Sequence, residues 1–266
     1  ELFYQQEIGK LFFLLGQHDV NTFFSTTENA SDFTNSSFGI SPTISLNVPV
    51  PTFPIAALGA MVKYNFNPDF YIATGIYDGE PGFPKYGINF DLAGKQGILS
   101  TTEIGLDIQE SLGTSLKVGG FIHTGTFEDI VDTTNTFQNN SSLYLLVEQE
   151  ILKRDICGLN SFLQVGYSPG DQNLIKYYLG SGLIFDGLLG KKGRTGLGMA
   201  AIFRNPEMVR ENNNLNVSEW DIEFFHRFSV NDHIDFQPGL HYIIQPGAMK
   251  EMNNAFVAMF RINIEF

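Results

Sequence analysis

Along most of this chain apolar and polar side chains take turns with a period of two. A β-strand produces that period because successive side chains point to opposite faces of a sheet. In 114–124 (TSLKVGGFIHT), Leu116, Val118, Gly120 and Ile122 share one face, and Lys117, Gly119, Phe121 and His123 share the other. In 232–244, Ile234, Phe236, Leu240, Tyr242 and Ile244 oppose Asp235, Gln237, Gly239, His241 and Ile243. At the end of the chain Phe256, Ala258, Phe260, Ile262, Ile264 and Phe266 oppose Val257, Met259, Arg261, Asn263 and Glu265. Marking such stretches predicts about thirteen strands. They lie near 1–7, 10–19, 55–66, 69–78, 97–108, 113–124, 141–151, 156–167, 174–186, 194–204, 216–228, 232–244 and 254–266. Most reach the ~9 to 11 residues that a tilted membrane strand needs, beyond the ~5 or 6 usual in soluble sheets.

The connections between these strands alternate as well. Tight ones fall at Ile8-Gly9, Asn67-Pro68, Glu110 to Leu112, Leu152 to Asp155, Gly187 to Gly193 and Val230 to Asp232. Longer ones fall at 20–54, 79–96, 125–140, 205–215 and 245–253, with 168–173 the short member of that side. Short turns at one rim and long loops at the other are the pattern of outer-membrane barrels, with the turns periplasmic. The expected fold is therefore all-β: one domain over 1–266 forming a transmembrane, antiparallel, up-and-down β-barrel in the bacterial outer membrane.

Composition sharpens this picture. The 266 residues include 25 Phe, and aromatics make up 14%, more than one core uses and in keeping with two interfacial girdles. Nowhere do ~18 to 20 apolar residues run together, as a membrane helix requires. The formal net charge of −13 leaves no basic stripe for nucleic acid. Cys157 is alone, which rules out an intrachain disulfide and a cysteine metal cluster. The start, ELFYQQEIGK, carries neither a basic n-region nor an apolar h-region, so any leader is expected upstream or already removed.

In a barrel of this kind the polar strand faces line water. They supply the candidate pore-lining residues Lys63, Tyr71, Tyr77, Glu103, Lys117, His123, Tyr144, Glu148, Glu223, Gln237, His241 and Arg261, with Asp107, Glu219 and Asp221 on the same faces. Carboxylates and Arg can grip the hydroxyls of a polar solute, and aromatic faces can stack on its CH groups. The plainer alternative for each is a solvated wall residue. Glu103, Lys117, His123 and Arg261 lie mid-strand, nearest the waist of a barrel. Because carboxylates outnumber Lys and Arg in this set, a weak cation preference is expected.

No catalytic residue, metal site or cofactor is assigned. His123 and His241 lack ligand-spaced companions on their own strand faces, and no GxSxG, HExxH or P-loop is present. The acids Glu219, Asp221 and Glu223 follow the period that a polar wall requires anyway. The inward glycines Gly59, Gly75, Gly105, Gly119, Gly198 and Gly239 speak for an open lumen rather than a plugged one. The long connection 20–54 starts polar and turns into SSFGISPTISLNVPVPTFP, too apolar for an exposed loop. It is expected to fold inward or pack on the rim; packing on a neighbouring subunit is the alternative.

Six blocks in register resemble the carbohydrate-selective porin (OprB) family. They are NSSFGISPTISLNVPVPTFPIAALGAMVKY (35–64), FYIATGIYDGEPG (70–82), GINFDL (87–92), FIHTGTFED (121–129), VGYSPGDQNL (165–174) and DFQPGLHYIIQPG (235–247). The resemblance implies a sixteen-stranded porin with a narrowed eyelet that passes glucose and related sugars by diffusion, and it makes the pore-lining set above the candidate sugar-binding residues. Arginines of the family pattern point into the pore near Leu14 and Gln164. Here both positions are uncharged, which implies a less basic eyelet. The implied partners are outer-membrane lipid and lipopolysaccharide, mono- and disaccharides, and the barrel-assembly machinery through the terminal Phe266. Oligomeric state stays open between trimer and monomer. A barrel enzyme and a plugged structural or adhesive barrel are the competing classes. Because thirteen is odd and bacterial single-chain barrels have even counts, the chain is expected to be part of a larger barrel, with bridging strands between 1–7 and 254–266.

Overall fold

The computed structural model describes residues 1–82, 97–108, 113–154, 157–188, 193–231 and 233–265. Thirteen strands of these residues form one antiparallel sheet, each paired with the next in chain order. They are β1 (Leu2–Ile8), β2 (Leu11–His18), β3 (Ala57–Asn67), β4 (Phe70–Asp78), β5 (Ile98–Ile108), β6 (Thr114–Glu128), β7 (Thr136–Arg154), β8 (Cys157–Tyr167), β9 (Ile175–Asp186), β10 (Arg194–Arg204), β11 (Ser218–Asn231), β12 (Ile234–Ile244) and β13 (Ala255–Ile264). Short helices α1 (Pro42–Ser45) and α2 (Pro206–Glu211) sit in the long connections. Among the described residues no ladder joins β1 to β13, and no helix is long and apolar enough to cross a membrane. The expected turn at 110–112, residues 189–192 of the turn expected over 187–193, the block 87–92 and Phe266 lie outside the described residues.

The strands fall where the alternation puts them, with one substantial difference. β6 and β7 continue past the expected ends at 124 and 141 and pair out to Glu128 and Thr136, across a register shift between His123 and Thr126. The connection between them shrinks to 129–135. Residues 125–140 are mostly polar, with Phe127 and Phe137 paired across the arm and Ile130 and Val131 at its tip, so the alternation is too sparse for a sequence pattern to detect.

Register follows the alternation. Val118, Ile122, Phe260, Ile262 and Ile264 are exposed on the outer face, whereas Lys117 and Arg261 point inward to the loop described below. Outward rings gather in two bands. Tyr64, Phe66 and Phe70 cluster at the short-turn rim, with neighbouring centroids 4.8 and 5.0 Å apart. At the opposite rim Tyr167 stacks on Tyr177, and Phe203 meets Trp220 edge-on. An apolar belt flanked by aromatic girdles is the outer surface of a membrane barrel. At the short-turn rim Ile8 pairs with Leu11, and Gly9 takes φ +60° in the tight turn between them, a left-handed conformation that disfavours side chains.

Candidate functional site

The connection between β2 and β3 runs along the inner face of the sheet. In successive residues it meets β4 through Phe24 and Gly75, β5 through Ser25, β6 through Thr26, β7 through Glu28, and then β10 to β13 from Asp32 to Asn35. It turns there and returns over β8 and β9 to the rim. One segment can touch so many sequential strands only if the sheet curls around it. The expectation that 20–54 folds inward is met, and contact with a neighbouring subunit is not needed to explain its apolar half.

The outgoing limb is held through its backbone. Glu148 on β7 accepts the successive amides of Glu28 and Asn29 at 3.0 and 2.6 Å, and the Asn29 side chain at 3.0 Å. On β11 Glu223 does the same for Thr34 and Asn35, at 2.7 and 2.9 Å. Glu103 on β5 accepts Ser25 N–H at 3.0 Å and the hydroxyls of Tyr71 and Tyr144 at 2.7 Å each. These carboxylates are 5%, 0% and 1% exposed. Irregular backbone inside a barrel has no ladder to satisfy its N–H groups, and buried amides need acceptors. Ionised acceptors supply stronger bonds than neutral ones.

Cations complete the clasp. Lys117 donates to Thr26 O at 2.8 Å, and Gln237 donates to Asp32 O at 2.8 Å. Arg261 reaches Asp32 O and Phe33 O at 3.5 and 3.3 Å. The Asp32 carboxylate lies between Arg194 at 2.5 Å and Arg227 at 2.8 Å, and Arg194 also meets Asp186 at 3.1 Å. Arg194 and Arg227 are absent from the set of candidates chosen from sequence. Parity alone would have found them, since Arg227 follows Glu219, Asp221, Glu223 and Phe225 on one face and Arg194 precedes Gly196 and Gly198. Leu14 and Gln164, the uncharged positions, are both buried, and Gln164 donates to Thr27 Oγ1 and Phe38 O at 2.9 Å each.

The return limb is held through side chains. Phe38, Ile44 and Val48 are buried; Phe33 and Phe38 meet at 4.9 Å and both pack on Phe162. Asn47 acts as a stub of strand beside β9, donating to Ile175 O at 2.7 Å and accepting its N–H at 3.1 Å. Ser168 donates to Thr43 O at 2.7 Å.

The inward glycines take on a different meaning. Rings lie across them: Tyr77 over Gly59, Tyr71 over Gly105, Tyr144 over Gly119 and Phe33 over Gly198, where an added methyl would come within 2.1 to 2.5 Å of ring carbons. They make room for aromatic packing and for the loop, so an abundance of inward glycine does not by itself signal open water.

The remaining candidates separate. Tyr77 is fully buried, its ring 5.0 Å from His18. His123, expected near the waist, sits instead toward the long-loop rim, because β4, whose following residue it meets, ends at Asp78: its Nε2 lies 2.6 Å from Gly79 O and its Nδ1 accepts Gly125 N–H at 3.0 Å. Lys63 holds its ammonium 3.8 Å from the centre of the Tyr71 ring. His241 Nδ1 lies 2.9 Å from Asp221 and its Nε2 2.9 Å from Thr34 Oγ1. Hydroxyl, imidazole and carboxylate thus stand in the order of a hydrolase triad. Yet the same hydroxyl donates to Glu223 at 2.7 Å, and the Thr34 amide is bound there too, so the group serves the clasp. No cluster of three or more His, Cys, Asp or Glu suited to a metal ion occurs among the described residues.

An up-and-down sheet with an apolar outer belt, two aromatic girdles and a long loop folded against its inner face defines an outer-membrane barrel of the porin class. Comparison with known proteins narrows the class to a family. The description "Carbohydrate-selective porin, OprB family" matches residues 1–266, and the chain belongs to that family. It is 24% identical to Porin B of Pseudomonas aeruginosa over 253 residues, covering 80% of this chain. Its fold matches OprB of Pseudomonas putida, solved at high pH, with a TM-score of 0.89 and 20% identity over 100% of this chain and 72% of that one. The outer membrane channel DcaP of Acinetobacter baumannii matches with a TM-score of 0.56 and 11% identity, over 94% of this chain and 69% of that one. The chain spans 56% of the length of the curated relatives it matches.

Proposed function

We propose that this chain supplies wall and constriction loop to an outer-membrane porin through which small polar solutes, sugars foremost, diffuse passively. The observation that carries this is the loop, pinned at both limbs against the inner face. A tethered loop narrows a barrel without plugging it by a separate domain. In this function the buried acids Glu103, Glu148 and Glu223 fix the eyelet, and solutes meet the groups left beside it. Those are Glu7, Lys63 and Lys117 on one flank and Glu219, Asp221 and His241 on the other. Three carboxylates against two ammonium groups favour a weak cation preference. The outer face meets lipid and lipopolysaccharide, and the barrel-assembly machinery receives the chain through its last strand.

Liposome swelling with a panel of mono- and disaccharides tests the proposal. Swelling rates that fall with solute size, and that favour sugars over other polyols of equal size, are expected. Liposomes that do not swell with any sugar would point instead to an enzyme or a structural barrel. Reversal potentials in a salt gradient test the ion preference, and a clear anion preference would overturn it.

A further inference from the structure

Two cavities flank the clasped loop, and their chemistry differs. The one against β10 to β13, about 340 Å³, presents Glu219, Asp221 and His241 and no Lys or Arg. The other, about 330 Å³, lies between the start of the loop and strands β1 to β4 and β6. It is lined by Glu7, Phe12, Phe23, Lys63, Tyr71 and Lys117, among others. Both volumes lie near the lower end of the ~300 to 1,000 Å³ of small-molecule pockets.

Lys63 is the group in the second cavity that calls for a partner. It is half-buried, and its ammonium rests on the face of Tyr71 at 3.8 Å. Among the described residues it makes no ion pair or hydrogen bond. A ring face attracts a cation, but it does not replace the acceptors that an ammonium loses on leaving water. Lys117 gives one N–H to Thr26 O and has two donors left.

Glu103, Asp107 and Glu7 all lie within electrostatic reach of Lys63, but none of them fills its N–H donors. Both Glu103 oxygens are taken by Tyr71, Tyr144 and Ser25. Asp107 faces inward from β5 but does not line the cavity, and Glu7 does line it. Within the cavity lining, two ammonium groups with unfilled donors therefore face one carboxylate, Glu7. Beside them Phe12 and Phe23 offer rings 6.0 Å apart and inclined at 38°, an apolar wall suited to the CH face of a pyranose.

We propose that this cavity is a subsite for sugar acids. The carboxylate of a hexuronate or aldonate sits between Lys63 and Lys117, and its carbon skeleton lies against Phe12 and Phe23. The inference rests on the porin function and names the solute class that this flank of the eyelet selects. Glu7, opposite the lysines, is placed to accept sugar hydroxyls.

The test is current block in planar bilayers containing the complete native protein, with D-glucuronate and D-glucose as probes. Glucuronate is expected to block at about tenfold or more lower concentration than glucose, the worth of one charge-assisted hydrogen bond. Lys63→Gln should weaken glucuronate block by about tenfold more than glucose block, so that the difference disappears, and Lys63→Arg should retain it. Equal block by the two probes in the native protein would overturn the subsite while leaving the porin intact. So would a Lys63→Gln variant that weakens both probes alike, or a Lys63→Arg variant that loses the preference. Absence of any ion conductance would overturn the porin function and the subsite together.

Discussion

The two limbs of the constriction loop solve one problem in two ways. From Ser25 to Asn35 the chain offers backbone amides, and the wall answers with carboxylates on β5, β7 and β11. From Phe38 to Val48 it offers apolar side chains, and the wall answers with rings, Phe162 among them. The first attachment is directional and electrostatic, so it fixes where each residue of the eyelet lies. The second depends on area and shape, and it supplies adhesion. Only the first should respond to charge removal.

The largest effect is expected from the apolar limb. Phe38→Ala removes a fully buried ring and should weaken docking of the return limb by ~3 to 5 kcal/mol. Protease cleavage within 36–50 of the folded protein should appear, while amide exchange at Glu28 and Asn29 stays slow. Fast exchange at both limbs would show that they are one unit and dissolve the contrast.

Glu148→Gln makes the complementary cut. An amide NH₂ would then face one of the two amides that the carboxylate accepts, at a cost of ~1.5 to 3 kcal/mol. Exchange at Glu28 and Asn29 should accelerate and single-channel conductance should rise, with 36–50 still resistant to protease. Unchanged conductance would mean that the outgoing limb does not bound the passage.

Between the limbs lies the bed of Phe33. In Gly198→Ala the new methyl would sit 2.5 Å from that ring. Since a ring can shift more easily than backbone, a cost near ~1 kcal/mol is expected. It should be visible as a lower unfolding temperature in detergent with conductance nearly unchanged. A conductance change matching that of Glu148→Gln would place Phe33 in the electrostatic clasp instead.

The smallest effect belongs outside the membrane, where no clasp operates. At the tip of the β6–β7 arm the amide and hydroxyl of Thr134 donate to Asp132, holding its carboxyl below the usual 3.8. A depressed folded value means that the turn's small stabilisation is present above the ordinary value and fades as pH falls through the lower one. Thr134 amide exchange, corrected for its intrinsic pH dependence, should gain protection as pH rises through this range, and Asp132→Asn should remove that dependence. A pH response that survives the substitution would assign it to another group.

The sequence by itself determined the strands, their order and the face each presents. For the long loop it left an inward fold, the rim and a neighbouring subunit open, and the contacts to β4 through β13 decided for the inner face. Alternation with period two reports local geometry, and a one-residue slip would carry Lys117 or Arg261 into lipid. It also settled that segment 35–54 could not be an exposed loop. Tertiary structure alone decided what covers the polar face. Glu148 meets Asn29 across 119 residues, Glu223 meets Thr34 across 189, and Arg227 meets Asp32 across 195. Period tells which way a side chain points, but not whether water, a sugar or a backbone amide waits there. Glu103, Glu148 and Glu223, which read as solute-gripping, are therefore found holding the loop, and Gly59, Gly105, Gly119 and Gly198, which read as open space, are found under aromatic rings. The physical reason is common to both: facing is fixed by neighbours one and two residues away, whereas partnership is fixed by how the sheet curls and where the loop comes to rest.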